Sequence, residues 1–203
     1  MTIATYSDLQ AAIGNWLDHS LFAARVPDFI ALFEAAANRR LRVRQQEATA
    51  SLTPDSTGAV ALPSDYLAWR RVTWTGQTRN ELEFVHPSYL QAAYPTTPAD
   101  VPRIFTIEGA TLKVMPIDTT ALEFDYFQKI ASLATAPGGV NWLLTEHPDL
   151  YLFGSMVEAE MFGVNDERAP LWKGRRDEIF DEIEKLNNKT RAPSAIRVFG
   201  VTP

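Results

Sequence analysis

The segment from Leu150 to Phe162 constrains the fold most, because it predicts a helix that is apolar on more than one face. Thr145 is a candidate cap ahead of it, and Pro148 lies early enough for a first turn to tolerate it. Of its two apolar stripes, the second is a candidate inter-subunit face and consists of Leu150, Phe153, Val157 and Met161. A surface helix of a monomer needs only one stripe, so we predict that a second copy of the chain covers the other.

Three further helices are indicated. One follows the break at residues 163–166, where Asn165 or Asp166 can cap it, and is an ordinary amphipathic helix that runs to about Asn188. Near the N-terminus, Ser7 can cap a helix, and Pro27 lies in the first turn of another. The short linker between these two makes them antiparallel neighbours.

Proline and glycine residues punctuate the chain from Ala48 to about Ile130, so no long helix fits there. The segments 104–107 and 112–115 flank Gly109 and predict a hairpin, and the alternating segment 122–127 predicts a third strand. We expect a twisted antiparallel sheet of four to six strands.

The predicted fold class is therefore α+β. Residues 1–47 and 140–189 form a helical bundle of about four helices, an N-terminal and a C-terminal αα pair. Residues 48–130 form an inserted small antiparallel β domain, and residues 190–203 form an extended C-terminal arm. Such an arm can add as a strand to a partner's sheet, dock on its own subunit or stay disordered. Its candidate binding residues are Arg191, Ile196, Arg197, Val198 and Phe199.

Composition excludes several classes of protein. With no cysteine, the chain has no disulfide framework and no thiolate chemistry. No apolar run approaches the roughly 20 residues that a bilayer requires, so we expect no membrane association. The N-terminus lacks a secretory pattern, so we expect the protein to stay where it is made. A net charge of -6 argues against a general nucleic-acid binder.

Four arginines within six residues are the exception to the acidic balance. They either complement the negative end of a helix dipole or contact a partner. This candidate basic contact consists of Arg39, Arg40, Arg42 and Arg44.

No motif predicts catalysis, a cofactor or a metal. The three histidines lie in separate segments without a metal-ligand pattern, and the surroundings of Ser155 lack the second glycine of a nucleophile elbow. Gly138-Gly139 lacks the lysine of a phosphate loop. An alternative function is a monomeric module that binds or hydrolyses a ligand or glycan in an aromatic groove of the β domain. That groove would be lined by Trp69, Trp74, Tyr89 and Tyr94.

Motifs along nearly the whole chain occur in a characteristic order. They are Leu9 to Trp16, Pro27-Asp28-Phe29-Ile30, Glu34, Arg39-Arg40-Leu41-Arg42, Leu62-Pro63-Ser64-Asp65-Tyr66-Leu67, Ile107-Glu108-Gly109, Leu112 to Pro116, Phe124-Asp125-Tyr126-Phe127, Leu133, Trp142-Leu143-Leu144, Pro148-Asp149-Leu150-Tyr151, Asp166-Glu167-Arg168 and Trp172. In this order the chain resembles the head-to-tail connector, or portal adaptor, proteins of tailed bacteriophages, of the podophage type.

The resemblance implies a structural virion protein and not an enzyme. Such adaptors combine a helical bundle with a β domain and assemble as twelve copies into a ring beneath the portal. They join the portal to the tail nozzle or a tail tube component, and double-stranded DNA passes through them without sequence-specific binding. The implied location is the head-tail junction of the virion, after synthesis in the bacterial cytoplasm. The basic cluster then suits an acidic partner surface.

Overall fold

The computed structural model describes residues 2–17, 20–163 and 167–191. Contacts between residues divide the chain into two compact units. The helical unit comprises Met1–Gln45 and Ile130–Pro203, and the β unit comprises Gln46–Lys129. The β unit is thus one continuous insertion into the chain of the helical unit.

Six α-helices occur in the described ranges. They are α1 (Tyr6–Leu17), α2 (Val26–Arg40), α3 (Pro87–Ala93), α4 (Trp142–Glu146), α5 (Pro148–Phe162) and α6 (Ala169–Arg191). Short 3-10 helices span Ser20–Arg25, Arg44–Gln46 and Pro137–Gly139.

Two helix starts differ from the prediction. Thr5 and Asp8 exchange hydrogen bonds in a capping box ahead of α1, so Ser7 already lies inside the helix. Asn141 caps α4, since its Oδ1 accepts from the backbone N–H of Leu144 at 2.9 Å. Thr145 is therefore not the cap; its hydroxyl donates to the Asn141 carbonyl at 3.0 Å.

A proline separates α4 from α5. Pro148 disfavours the helical conformation of the residue before it, and His147 has φ -136° and ψ 61°. The helix that the sequence indicated therefore consists of a five-residue piece and a fifteen-residue piece.

Helix α5 lies at the centre of the helical unit, where it packs against α1, α2, α4 and α6. Buried residues of both its apolar stripes belong to the same hydrophobic core, among them Leu150 and Met156. Four helices of the same chain thus cover most of the apolar surface of α5, while Met161 and Phe162 at its end stay exposed. A contact with a second copy at this helix stays a prediction, and it is limited to the exposed residues at the end of α5.

The β unit contains eight strands in two sheets. The strands are β1 (Glu47–Leu52), β2 (Ala59–Ala61), β3 (Tyr66–Trp74), β4 (Asn80–Glu81), β5 (Glu83–Phe84), β6 (Ile104–Glu108), β7 (Thr111–Met115) and β8 (Leu122–Gln128). One sheet, sheet A, has the order β1-β8-β3-β4; the other, sheet B, has the order β2-β7-β6-β5. All pairings between these strands are antiparallel except β5 with β6.

The two sheets share one hydrophobic core. Sheet A contributes buried residues such as Val72 and Phe124, and sheet B contributes Phe105 and Val114. The segment 80–84 connects the two sheets, because β4 pairs with β3 in sheet A while β5 pairs with β6 in sheet B. Each sheet therefore covers the apolar face of the other.

The predicted fold class is wrong. The structure has six helices and two four-stranded sheets, not a bundle of about four helices with one small antiparallel domain. Pro148 divides one expected helix, and His86 and Pro87 begin a short helix, α3, that has too few turns to show periodicity. The second sheet includes β2 and β5, whose two or three residues cannot show the alternation of a strand.

Candidate interaction surfaces

Arg40 of the basic cluster is committed to the helical unit itself. Its guanidinium contacts three carboxylates on α6: Asp177 at 3.3 Å, Glu184 at 3.0 Å, and Asp181. The same group lies 4.6 Å from the ring centroid of Phe180. Arg40 therefore fastens the end of α2 to α6 and is not presented to a partner as a free cation.

The other three arginines are placed differently. Arg42 donates to the carbonyls of Asn38 at 2.8 Å and Leu41 at 2.5 Å, so it caps the C-terminal end of α2. Arg39 and Arg44 are exposed, and in the described part of the chain neither side chain forms an ion pair. Of the predicted basic contact, only these two cations face solvent unpaired.

The candidate inter-subunit face on α5 is mostly inside its own unit. Leu150 and Val157 are buried, and Phe153 is half-buried with its ring stacked 5.8 Å from that of Trp172. Met161 is the exception, with 65% of its surface exposed.

Exposed apolar side chains lie at the end of α5 and near the start of α6. Next to Met161, Phe162 is 57% exposed, and its ring contacts those of Phe22 at 5.7 Å and Phe29 at 5.6 Å. Leu171, at the start of α6, is also exposed. We call Met161, Phe162 and Leu171 the apolar end of the helical unit.

The predicted arm lies almost entirely outside the described residues. Helix α6 ends at Arg191, and Ile196, Arg197, Val198 and Phe199 fall beyond it. Asn165 and Asp166, the predicted caps of α6, also lie outside the described ranges.

The four aromatic residues of the alternative groove differ in exposure. Trp74 is buried in the core of the β unit. Trp69 is partly exposed and stacks on Phe84 at 5.2 Å, while Tyr89 on α3 is exposed. Among the described residues, no ring contact joins any two of Trp69, Trp74, Tyr89 and Tyr94. No shared aromatic platform results.

The outer face of sheet A carries a charged network that sequence reasoning missed. The carboxylate of Asp125 accepts from Thr49 Oγ1 at 2.6 Å and from Arg71 Nη2 at 2.6 Å. Glu47 pairs with Arg70 on the same sheet. These groups line a cleft of about 530 Å³. The register Thr49-Asp125-Arg71 aligns them across three strands, a relation that only the strand pairing reveals.

Partial burial alone raises the pKa of Asp125. The hydrogen bonds from Thr49 and Arg71 outweigh that effect, together with the nearby positive charges, and the pKa lies below its usual value. The carboxylate is therefore held in its charged form as part of the surface of the β unit.

A buried polar network joins three segments of the helical unit. Glu34 Oε1 accepts from the backbone N–H of Leu133 at 2.8 Å and from the hydroxyl of Tyr151 at 3.3 Å. The Tyr151 oxygen accepts in turn from Asn141 Nδ2 at 2.7 Å. Burial, and secondarily the charge of Glu34, raises the pKa of the Tyr151 phenol, so it stays a neutral donor. We assign this network a structural role, since the side chains of Glu34, Tyr151 and Asn141 each have a hydrogen-bond partner in the protein.

Within residues 2–17, 20–163 and 167–191, no group of three or more potential ligands could hold a metal ion. No helix among the described residues has the length and apolar character needed to cross a bilayer. His86 Nδ1 accepts from the Ser88 backbone N–H at 3.3 Å and caps α3.

The chain matches a protein-family model. A family model described as "SU10 adaptor protein" matches residues 4–198, which include most of both units. No curated protein matches the chain.

Proposed function

Because the chain belongs to the SU10 adaptor protein family of phage head-tail adaptors, we propose that it forms a ring beneath the portal and joins the portal to the tail nozzle or tail tube. The ring surrounds the channel through which double-stranded DNA leaves. The family match over residues 4–198 carries this proposal, since it extends through the helical unit and the β unit alike. Membership makes the chain a structural phage protein.

Charge supports the placement around a DNA channel. The chain has a net charge of -6, and a wall of that sign does not retain phosphates. Arg39 and Arg44 are the exposed, unpaired members of the basic cluster. They are better suited to an acidic surface on the portal or tail protein than to the passing duplex.

A closed ring needs two different surfaces on each subunit that fit each other. The apolar end is one such surface, because Met161, Phe162 and Leu171 are each more than half exposed. Contact with a neighbouring copy would remove these side chains from water. Twelve copies is the number we propose, and the arm, which follows α6 from residue 192 to residue 203, reaches the portal or an adjacent subunit.

The decisive experiment is electron cryomicroscopy of virions that carry a short epitope on this chain, bound by a labelled antibody fragment. The proposal expects twelve labels at the head-tail junction. Virions without the epitope, treated with the same fragment, provide the control. Label on the capsid shell or along the tail, or no label in purified virions, would contradict it.

A further inference from the structure

Strand β1 lies at an edge of sheet A and is longer than the other edge strands. The strands at the four sheet edges are β1, β4, β2 and β5, and the last three have only two or three residues each. Strand β1 has six residues, and among the described residues only β8 pairs with it. In residues 48–52, the backbone N–H and C=O groups that point away from β8 are therefore available to another strand.

The composition of β1 does not protect this edge. Proteins usually block a free edge with lysine, proline, a bulge or a very short strand. Strand β1 reads Glu-Ala-Thr-Ala-Ser-Leu, with no lysine or proline, and it pairs with β8 without a break in register. Such an edge is a template for one more strand.

The two sides of β1 differ in a way that selects a partner strand. Ala48 and Ala50 are half-buried against the core of the β unit, and as alanines they cover less of it than larger apolar side chains would. Glu47 and Thr49 lie on the opposite side, at the charged cleft. That cleft is lined by three carboxylates (Glu47, Glu81, Asp125) and two guanidinium groups (Arg70, Arg71). A strand that suits this edge would place large apolar residues on the side of Ala48 and Ala50, and at least one cation on the side of the charged cleft.

The chain contains such a segment beyond α6. In residues 196–199, Ile196 and Val198 alternate with Arg197 and Phe199. Residues 192–203 contain no acidic residue. Residues 192–195 lie in sequence between the end of α6 and this segment, and four extended residues can span about 13 Å. A linker of this length allows the segment to bind away from its own helix.

We propose that residues 196–199 of a neighbouring copy add to the free edge of β1 as a fifth strand of sheet A. Ile196 and Val198 cover Ala48 and Ala50, and Arg197 lies over the carboxylates of the cleft. The inference rests on the proposed function, because a ring supplies the neighbouring copy. The proposed ring does not specify where the arm binds, and strand β1 would be that binding surface.

Binding of a labelled peptide of residues 192–203 tests this directly. The receptor is the full chain carrying Val198→Pro, so that its own arm cannot donate a strand. We expect saturable binding of one peptide per chain by fluorescence anisotropy. A peptide carrying Val198→Pro should bind about tenfold more weakly, because it lacks a backbone donor and cannot extend the ladder. Equal binding of both peptides, or no saturable binding of the native one, would overturn the proposal.

Two variants of the receptor locate the site. Successive residues of an edge strand direct their N–H groups to opposite sides. Of Thr49→Pro and Ala50→Pro, one therefore removes an inward donor, which points toward β8, and the other removes an outward donor, which points away from β8. The variant that keeps the native circular dichroism spectrum and melting temperature is the outward one. It should bind the peptide about tenfold more weakly, and unchanged binding would exclude β1.

If both proline variants unfold, hydrogen exchange on the Val198→Pro receptor replaces them. Added peptide should slow the exchange of amides in residues 47–52, and unchanged exchange there would exclude β1 equally.

The native chain separates the two possible sources of the strand. If it is monomeric and its β1 amides are protected as in the peptide complex, its own arm occupies β1 and the neighbouring copy is excluded. The labelled-virion experiment is independent of this result, so the position at the head-tail junction can stand when the acceptor edge fails.

Discussion

The ring of Phe33 on α2 lies against the backbone of Gly154 on α5. A Cβ atom at position 154 would come 2.0 Å from Phe33 Cδ2, far inside van der Waals contact. Phe33 is itself buried and also meets the ring of Tyr151 at 5.0 Å. The absence of a side chain at Gly154 is thus what lets α2 approach the central helix.

Gly154→Ala should therefore destabilise the helical unit, although alanine favours helices. The added methyl must displace a packed ring, and overpacking of this kind costs about 1–3 kcal/mol. Gly174→Ala on α6 is the matched control, because nothing lies within 4 Å of a Cβ there. It should stabilise by about 0.8–1 kcal/mol. Urea unfolding measures both, and an unchanged midpoint for Gly154→Ala would refute the steric reasoning.

Arg40→Ala should reduce stability by about 1 kcal/mol, since it breaks the contacts with Asp177, Asp181 and Glu184 on a partly exposed surface. The loss should shrink as salt is raised. Arg39→Ala, in the same turn but without an ion pair in the described part of the chain, should leave the unfolding midpoint unchanged. Equal losses for both variants would mean that charge at the helix end, and not the contacts with α6, is responsible.

Asp125 should make the stability of the β unit depend on pH. Its folded pKa lies below the unfolded value of about 3.9. Its contribution is therefore present above about pH 4 and is lost as the pH falls through the folded pKa. The difference in melting temperature between the native chain and Asp125→Asn should be constant from about pH 5 to 7 and shrink below pH 4. Glu83→Gln, at an exposed position, provides the control. A difference that does not vary with pH would rule out the titration of Asp125.

Tyr151→Phe should destabilise the helical unit by about 1–3 kcal/mol, because the buried Glu34 and Asn141 each lose a hydrogen-bond partner. The matched change Tyr89→Phe affects an exposed phenol and should have no effect. Chemical denaturation of the two variants compares them. If Tyr151→Phe were as stable as the native chain, the network would not join these segments energetically.

Met161→Glu should leave the folded monomer intact, because the side chain is 65% exposed, yet impair assembly with portal rings. The reason is the cost of burying a carboxylate in an apolar contact. Met161→Leu preserves the apolar surface and should assemble normally. Sedimentation of each variant with purified portal gives the result. Full assembly of Met161→Glu would remove the apolar end from the ring interface.

Elements with a clear sequence period were predictable. The hairpin of β6 and β7 is confirmed, with Gly109 at φ 61° in its turn, and so is the strand β8. Helix α2 is also confirmed, with Pro27 in its first turn. In each case the pattern repeats often enough to identify the element without its neighbours.

The remaining features depend on contacts between distant parts of the chain. Strands β2 and β5 are too short for a pattern and are stabilised by pairing within sheet B. The carboxylates that bind Arg40 lie more than 130 residues away in the sequence. The apolar faces of α5 could be predicted from the sequence, but the elements that pack on them could not. Four helices of its own chain cover most of this apolar surface, and only the exposed residues at its end are left for the second copy that we expected.

The β unit begins and ends on adjacent strands. Gln46 and Lys129 flank β1 and β8, whose residues Glu47 and Phe127 face each other in one antiparallel ladder, about 5 Å apart. The two points at which the chain enters and leaves the β unit are therefore as close as neighbouring strands. This is the geometry in which one domain can be inserted into the chain of another without separating the flanking residues of the host.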